Sequence, residues 1–307
     1  MSLTRRNFLA TSASTLALGL ARARLFAQPA APAAPPVTSF TDLRRGVGIF
    51  KGNGGTIGYL VNSTGAVAID SQFANTAAIA VAGLKTRAPQ GIEMLLNTHH
   101  HGDHTGGNLV FRGAVKRIVG HVNCLEWHRK TAAAAKTEGQ TSFADTTFTD
   151  NWRTSVGDET IQGRYYGAGH TSGDAVYHFE QANVVHMGDL LFNRAHPNID
   201  RAAGASTASW ITVLEKVARA HSNDTLFIAG HAKDNQVQCT KADVLRFRDY
   251  LSLCMDTATK AIAAGQVKEE LQKMTTLEGF EDNASPNARL TLGFVLGLCY
   301  DELTEKK

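Results

Sequence analysis

Thr98-His99-His100-His101-Gly102-Asp103-His104-Thr105-Gly106-Gly107 packs His-x-His-x-Asp-His into six positions, directly after the apolar run Ile92-Glu93-Met94-Leu95-Leu96-Asn97. Neutral imidazoles are the commonest metal ligands, and a carboxylate among them suits a divalent ion that also holds water. In extended backbone, residues two apart project to the same side, so His99 and His101 are expected to pinch one ion. His100, between them, is expected to point the other way. The turn at Gly102 then swings Asp103 and His104 towards a second position. A solvated polar loop that merely contains histidine is the bland alternative, and the density of ligand types argues against it.

Outward from this loop, the hydrophobic pattern alternates between strands and helices. Val47–Phe50, Thr56–Val61 and Ala66–Ile69 are short apolar stretches, and the turn Asn62-Ser63-Thr64-Gly65 makes them an antiparallel meander. A helix is predicted over 76–87, stopped by Ala88-Pro89. Strand 92–97, the histidine loop, strand 115–119 and helix 122–136 follow, and 137–153, lacking a period, reads as loop. Strands near 159–166, 175–180, 184–187 and 225–229 surround a helix over 209–220 with Trp210, Val213, Leu214 and Val217 on one face. From Thr240 the pattern is helical, at 241–264, 267–274 and 286–304. Two β-rich stretches, each closed by helices, predict an α/β fold of two sheets packed face to face with helices outside. A chain of 307 residues buries a large core as one sizeable domain or two small ones.

The amino terminus reads as an address label. Thr4-Arg5-Arg6-Asn7-Phe8-Leu9, an apolar run from Ala10 to Leu20 and small residues up to Ala27 form a twin-arginine signal peptide over 1–27. Its expected partner is the twin-arginine export machinery, which carries folded proteins, and its expected destination is the periplasm. The apolar run is too short for a stable membrane anchor. A Pro/Ala linker over 28–45 is expected to lead into a domain core over 46–239, with C-terminal helices over 240–307 packing on it. Removing the four leader arginines, Arg5, Arg6, Arg22 and Arg24, with no acid among them, takes the formal charge from +3 to −1. The mature chain therefore offers no electrostatic case for nucleic acid. Cys124, Cys239, Cys254 and Cys299 form no C-x-x-C site; Cys254 and Cys299 lie in predicted helices and could pair, with buried free thiols as the alternative. The C-terminal helices either cap the cleft or build a homodimer face, and both are left open.

Three isolated sites supply the missing partners of the opening motif. His170 sits in the glycine-rich turn Gly167-Ala168-Gly169-His170-Thr171. His186-Met187-Gly188-Asp189-Leu190-Leu191-Phe192 places an acid just past an apolar strand, and Phe227-Ile228-Ala229-Gly230-His231 does the same with a histidine. Any one alone is usually a turn or cap residue; in this order after His-x-His-x-Asp-His they are a strong signal. On these residues the chain resembles the metallo-β-lactamase superfamily, across roughly residues 46–260. The resemblance implies a four-layer αββα sandwich with a C-terminal helical extension, and a site for two zinc ions, or other divalent ions, at one edge of the sheets. It implies that His99, His101 and His170 hold the first ion, that Asp103, His104 and His231 hold the second, and that Asp189 bridges them. Asp70, ending the third strand of the meander, matches a family acid that supports the metal loop from behind. Two cations a few Å apart lower the pKa of a shared water enough to make a nucleophile, and Asp103 is placed as the catalytic residue that orients it and shuttles its proton.

Departures from the family's branches narrow the expected reaction. The His-x-His pair argues against the di-iron reductases, whose pattern carries Glu there. Asp189 stands where the best-known lactamase classes carry Cys or Ser, and is typical of the glyoxalase II and lactonase branches. No basic cluster for glutathione is evident in the C-terminal half, and export argues against the RNA-processing nucleases. The expected function is an exported dinuclear zinc hydrolase of a small ester, lactone, thioester or amide. A β-lactam hydrolase is the alternative, followed by a mononuclear iron persulfide dioxygenase and a non-catalytic metal-binding protein. Asn193, Arg194, His196 and Arg201, in the polar stretch after Asp189, are substrate-contact candidates; Phe143, Phe148 and Trp152 read as either an apolar lid or ordinary anchors.

Overall fold

Asn62 Oδ1 accepts hydrogen bonds from both the backbone N–H and the hydroxyl of Thr64, and this Asx turn closes the hairpin between β3 (Ile57–Asn62) and β4 (Gly65–Ile69). The computed structural model describes residues 36–284 and 287–305. The signal peptide expected over 1–27 lies outside them.

The first sheet runs in chain order: β1 (Ser39–Arg44), β2 (Val47–Lys51), β3, β4, β5 (Ile92–Asn97), β6 (Val115–His121) and β7 (Thr146–Phe148). Pairing is antiparallel as far as β4 and parallel from β4 to β7. Helix α1 (Ala74–Arg87) makes the crossover from β4 to β5. The loop after β5 contains two short helices, α2 (Gly102–Thr105) and α3 (Asn108–Arg112), and α4 (Val122–Ala135) follows β6. The second sheet has the order β13 (Gln238–Cys239), β12 (Leu226–Ala232), β11 (Val184–Asn193), β10 (Ala175–Phe179), β9 (Glu159–Tyr165) and β8 (Asn151–Val156). Its one parallel pair, β11 with β12, is bridged by α5 (Thr207–Ala220). Helices α6 (Lys241–Ala263), α7 (Lys268–Leu271) and α8 (Leu292–Thr304) complete the described chain.

Period-two alternation sorts side chains into three apolar layers. Val67 and Ile69 of β4 face the second sheet, meeting Tyr177, Phe179 and Ile228. Ala66 and Ala68 face outward onto α1, whose Ala77, Ala80 and Leu84 are buried against them. On the far side Met187 and Leu190 of β11 pack under Trp210, Val213 and Leu214 of α5 and Phe247 and Tyr250 of α6. The result is the four-layer αββα sandwich, with the C-terminal helices on the second sheet's outer face.

Four expectations are corrected. Residues 39–44, expected in the linker, form edge strand β1 with Phe40 packed on Phe50. Residues 137–153 are not all loop: β7 and the start of β8 lie there, and Phe148 is buried between the sheets while Trp152 packs beside it. Phe143 packs against His128, so the three aromatics anchor the segment rather than cover a cleft. Strand β11 does not stop at Met187 but continues to Asn193 through register shifts at Gly188. The last two helices are shorter than expected, at Lys268–Leu271 and Leu292–Thr304. The four cysteines are free and buried. Among the described residues no helix is long and apolar enough to cross a membrane.

Candidate metal centre

Parallel strands end together, and residues just beyond their carboxyl ends share one edge of a sheet. Here β4 and β5 end at Asp70 and the histidine loop, while the parallel pair β11 and β12 supplies Asp189 and His231 from within the strands, Asp189 where the β11 register is irregular after Gly188. The link from β9 to β10 adds His170. Three groups of ligand atoms result: His99, His101, His170 and Asp189; Asp103, His104 and His231; and His100, His101 and Asp200, which shares His101 with the first. All seven residues expected as ligands are brought together.

Local backbone explains the sorting. His101 is extended (φ −62°, ψ 148°), which leaves His99 and His101 on one side. Asp103 and His104 then sit on the single turn α2. His99 Nε2 lies 3.1 Å from His101 Nδ1, and His170 Nε2 lies 2.8 Å from the same Nδ1. In the second group His104 Nε2 and His231 Nε2 are 3.4 Å apart, and Asp103 Oδ2 is 3.0 Å from His231 Nε2. Asp189 stands between the first two groups: Oδ2 is 3.4 Å from His170 Nε2, and Oδ1 is 3.0 Å from His104 Nε2. Ligands of a tetrahedral ion at about 2.1 Å lie about 3.4 Å from one another, so these spacings match the scale of two coordination shells.

The outward-facing nitrogen of each ring decides what the inward one can do. His104 Nδ1 donates to Asp70 Oδ2 at 2.7 Å, His101 Nε2 to Asp200 Oδ2 at 2.9 Å, and His170 Nδ1 to the Asn198 carbonyl at 2.8 Å. Thr98 gives its hydroxyl proton to Asp70 and can therefore accept from His99 Nδ1 at 3.0 Å. These tautomers, assigned from the network, turn the lone pairs of His99 Nε2, His101 Nδ1, His170 Nε2 and His104 Nε2 inward. Converging acceptors repel unless a cation lies among them. Asp189 Oδ1, buried and without a hydrogen-bond donor, faces the same space. The donor set of imidazole and carboxylate fits divalent zinc and similar ions.

Electrostatics makes the same demand. Without an ion among the ligands, burial opposes charge on His104, yet Asp189, Asp103 and Asp70 around it raise its pKa well above the ordinary histidine value, so a proton on Nε2 stands where a cation would. Burial, with the neighbouring His104, drives that of His99 well below it. Against the cost of burial, His231 and His104 hold the Asp189 carboxyl well below its usual range; His104 and His231 hold Asp103 at about 2. The cluster keeps its acids ionised and calls for positive charge.

Backbone approaches closely where side chains would intrude. A Cβ on Gly230 would sit 2.1 Å from Asp189 Oδ1, and one on Gly55 2.1 Å from the His104 ring. Asp70 itself adopts φ 64° at the end of β4, the left-handed region in which it meets both Thr98 and His104.

The family model of the metallo-beta-lactamase superfamily matches residues 52–231. The chain belongs to that superfamily. Solved structures agree on the fold: a metallo-beta-lactamase from Pontibacter korlensis at 18% identity and TM-score 0.59 covers 70% of this chain and 99% of its own. A metallo-beta-lactamase from Hirschia baltica, at 17% identity and TM-score 0.57, covers 70% and 97%. The stereoselective inverting sec-alkylsulfatase Pisa1 from Pseudomonas sp., at 14% identity and TM-score 0.68, covers 87% of this chain, which spans half of that enzyme. No curated protein sequence matches the chain significantly.

The substrate-contact candidates stand apart from the superfamily site. Arg194 pairs with Asp282, Arg201 reaches Glu302 and Glu305, His196 Nδ1 meets the Tyr250 hydroxyl, and Asn193 donates to the Gln236 carbonyl. None of the four lines the cleft over the centre, whose walls include Phe73, Phe192, Asn198, Arg289 and Phe294. The reason is β11: by running on to Asn193 it carries these residues past the centre and onto the C-terminal helices. His100 does point away, its ring beside Trp127 and its Nε2 3.8 Å from Asp200. Sequence reading passed over Asp200, which grips His101, and Asp174, which binds the backbone and hydroxyl of Thr171 next to His170. Asp200 lies in the polar stretch already singled out after Asp189, but nothing local marks it as a partner of a residue 99 positions away.

Proposed function

We propose that the chain is a dinuclear zinc hydrolase acting on a small ester, lactone, thioester or amide. The observation that carries this is the convergence of two ligand groups on the shared carboxylate of Asp189. When bound, a pair of divalent ions supplies an activated water and polarises the scissile carbonyl. The protein's own part follows from exposure. The Asp189 side chain is 4% exposed and is fixed between the two groups; that of Asp103 is 30% exposed and opens to the cleft. Asp103 is thus the carboxylate that can meet substrate, orient the attacking water and hand its proton to the leaving group. Asp70 and Asp200 hold His104 and His101 in the required tautomers.

Metal analysis and a substrate panel test the reading. About two zincs per chain, with turnover of an acyl lactone or thioester, is the expected result; a single iron per chain overturns it. β-Lactam hydrolysis is the second reading, favoured by the lactamase names among the solved neighbours and opposed by Asp189 in place of Cys or Ser, so a chromogenic cephalosporin belongs in the panel. An alkyl sulfate belongs there too, because the sulfatase overlays the larger share of the chain. We further propose periplasmic export as a folded protein, tested by fractionation of cells carrying Arg5→Lys with Arg6→Lys.

A further inference from the structure

The cleft beside the centre, about 730 Å³, is lined by two unlike sets of groups. One is the centre itself, through His101, Asp103, Asp189 and His231. The other is apolar: Phe73 of the loop before α1, which neighbours Asp103 around Gly54, and Leu290 and Phe294 at the start of α8, with Arg289 also on the lining. Phe73 is 40% exposed, a large apolar group left facing this space.

Arg289 is the unusual member. Other arginines around the C-terminal helices have acids to meet: Arg194 and Arg246 share Asp282, and Arg201 takes Glu302 and Glu305. The Arg289 side chain makes no ion pair or hydrogen bond to any described residue; its backbone N–H is bound to Asn287 Oδ1 at 3.0 Å, which shapes the turn that presents it. Two divalent ions would leave the centre net positive even against Asp103 and Asp189. A guanidinium without an acid, exposed on the lining of a cleft that also opens on such a centre, adds to a positive field that attracts an anion, and its planar fork suits a carboxylate or sulfate.

We propose that the substrate is an amphiphilic organic anion. Its apolar segment lies on Phe73, Leu290 and Phe294, its carboxylate or sulfate engages Arg289, and its labile bond lies over the centre. This rests on the hydrolase reading above. Arg289 is then the residue that sets specificity, with no part in the bond-breaking step.

The zinc-loaded protein is titrated calorimetrically with octanoate and with octanamide, which share the chain and differ at the head group, a carboxylate against a neutral amide. Arg289→Ala is expected to weaken octanoate about tenfold and leave octanamide unchanged, with Arg289→Lys restoring part of the loss. Lys51→Ala, in the adjoining polar recess, is the control and changes neither. Equal losses for both ligands, no loss, or a loss that follows Lys51 instead overturns the assignment. Kinetics use 4-nitrophenyl octanoate and mono-4-nitrophenyl suberate, of equal chain length. Arg289→Ala should raise KM about tenfold for the suberate ester only, with kcat within about twofold. If neither ester is cleaved while octanoate binding still depends on Arg289, the hydrolase reading fails and the anion site stands. If both are cleaved and Arg289→Ala alters neither, the anion site fails and the hydrolase reading stands.

Discussion

At the scale of single residues, the centre divides into groups that touch the chemistry and groups that hold them still. On the proposed reaction Asp103 is in the first class. Asp103→Asn keeps the shape but loses the negative charge and the proton acceptor, so kcat is expected to fall about 10²–10⁴-fold with the far-ultraviolet circular dichroism unchanged. Near-normal turnover would show that the proton moves by another route. Asp200 is in the second class. Its hydrogen bond to His101 Nε2 turns Nδ1 inward, and Asp200→Asn removes the charge that makes the grip strong. A zinc affinity about 10–100-fold weaker is expected in competition with a chromophoric chelator, while Asn at Asp103 is read by rate. An unchanged affinity would make Asp200 a turn residue alone, since it also accepts from Ala203 N–H.

At the scale of elements, what was legible depended on how local the cause is. The strands, α1, α4 and the ligand positions follow from period, turn chemistry and residue type, all of which lie within a few neighbours. Arg194 and Arg201 were misread because polar residues after a metal acid resemble a substrate loop. Their partners lie some hundred residues on, Asp282 in the turn before α8 and Glu302 and Glu305 at the end of that helix. Arg289 was invisible for the same reason: its meaning comes from the fold bringing the segment before α8 to the cleft. Helix α4 carries a consequence of its own. His128 is buried on it against Phe143, and burial lowers its pKa to about 4. Between about 6.5, the ordinary histidine value, and 4, the unfolded chain binds a proton that the folded one refuses. Stability from this group is therefore intact above that window and falls as pH drops through it, by on the order of 3 kcal/mol. His128→Gln should shrink the loss of urea stability between pH 7 and pH 4 by that order; an unaltered slope would place the acid sensitivity in His186 and His221, also held at about 4.

At the scale of the molecule, the centre joins the two sheets. His99, His101, Asp103 and His104 follow β5 of the first sheet; His170, Asp189 and His231 belong to the second. Ions held between them would act as cross-links, and without them four inward lone pairs and two buried or half-buried carboxylates are left facing one another. Metal binding to the folded state alone stabilises by RT ln(1 + [L]/Kd), about 2.7 kcal/mol at a hundredfold excess over Kd and more for tighter sites. For a domain of this size a kilocalorie shifts the midpoint by roughly 2–4 °C, so stripping the ions should lower Tm by about 5–10 °C or more. Scanning calorimetry before and after a chelator measures this, and restoring zinc should restore the midpoint. The same removal in Asp189→Asn should cost less, because the bridge that ties both groups has already been weakened. A Tm indifferent to chelation in the parent chain would mean that the sheets are held by the apolar layer of Ile69, Tyr177 and Phe179 alone, and that the ligand clusters bind no ion strongly.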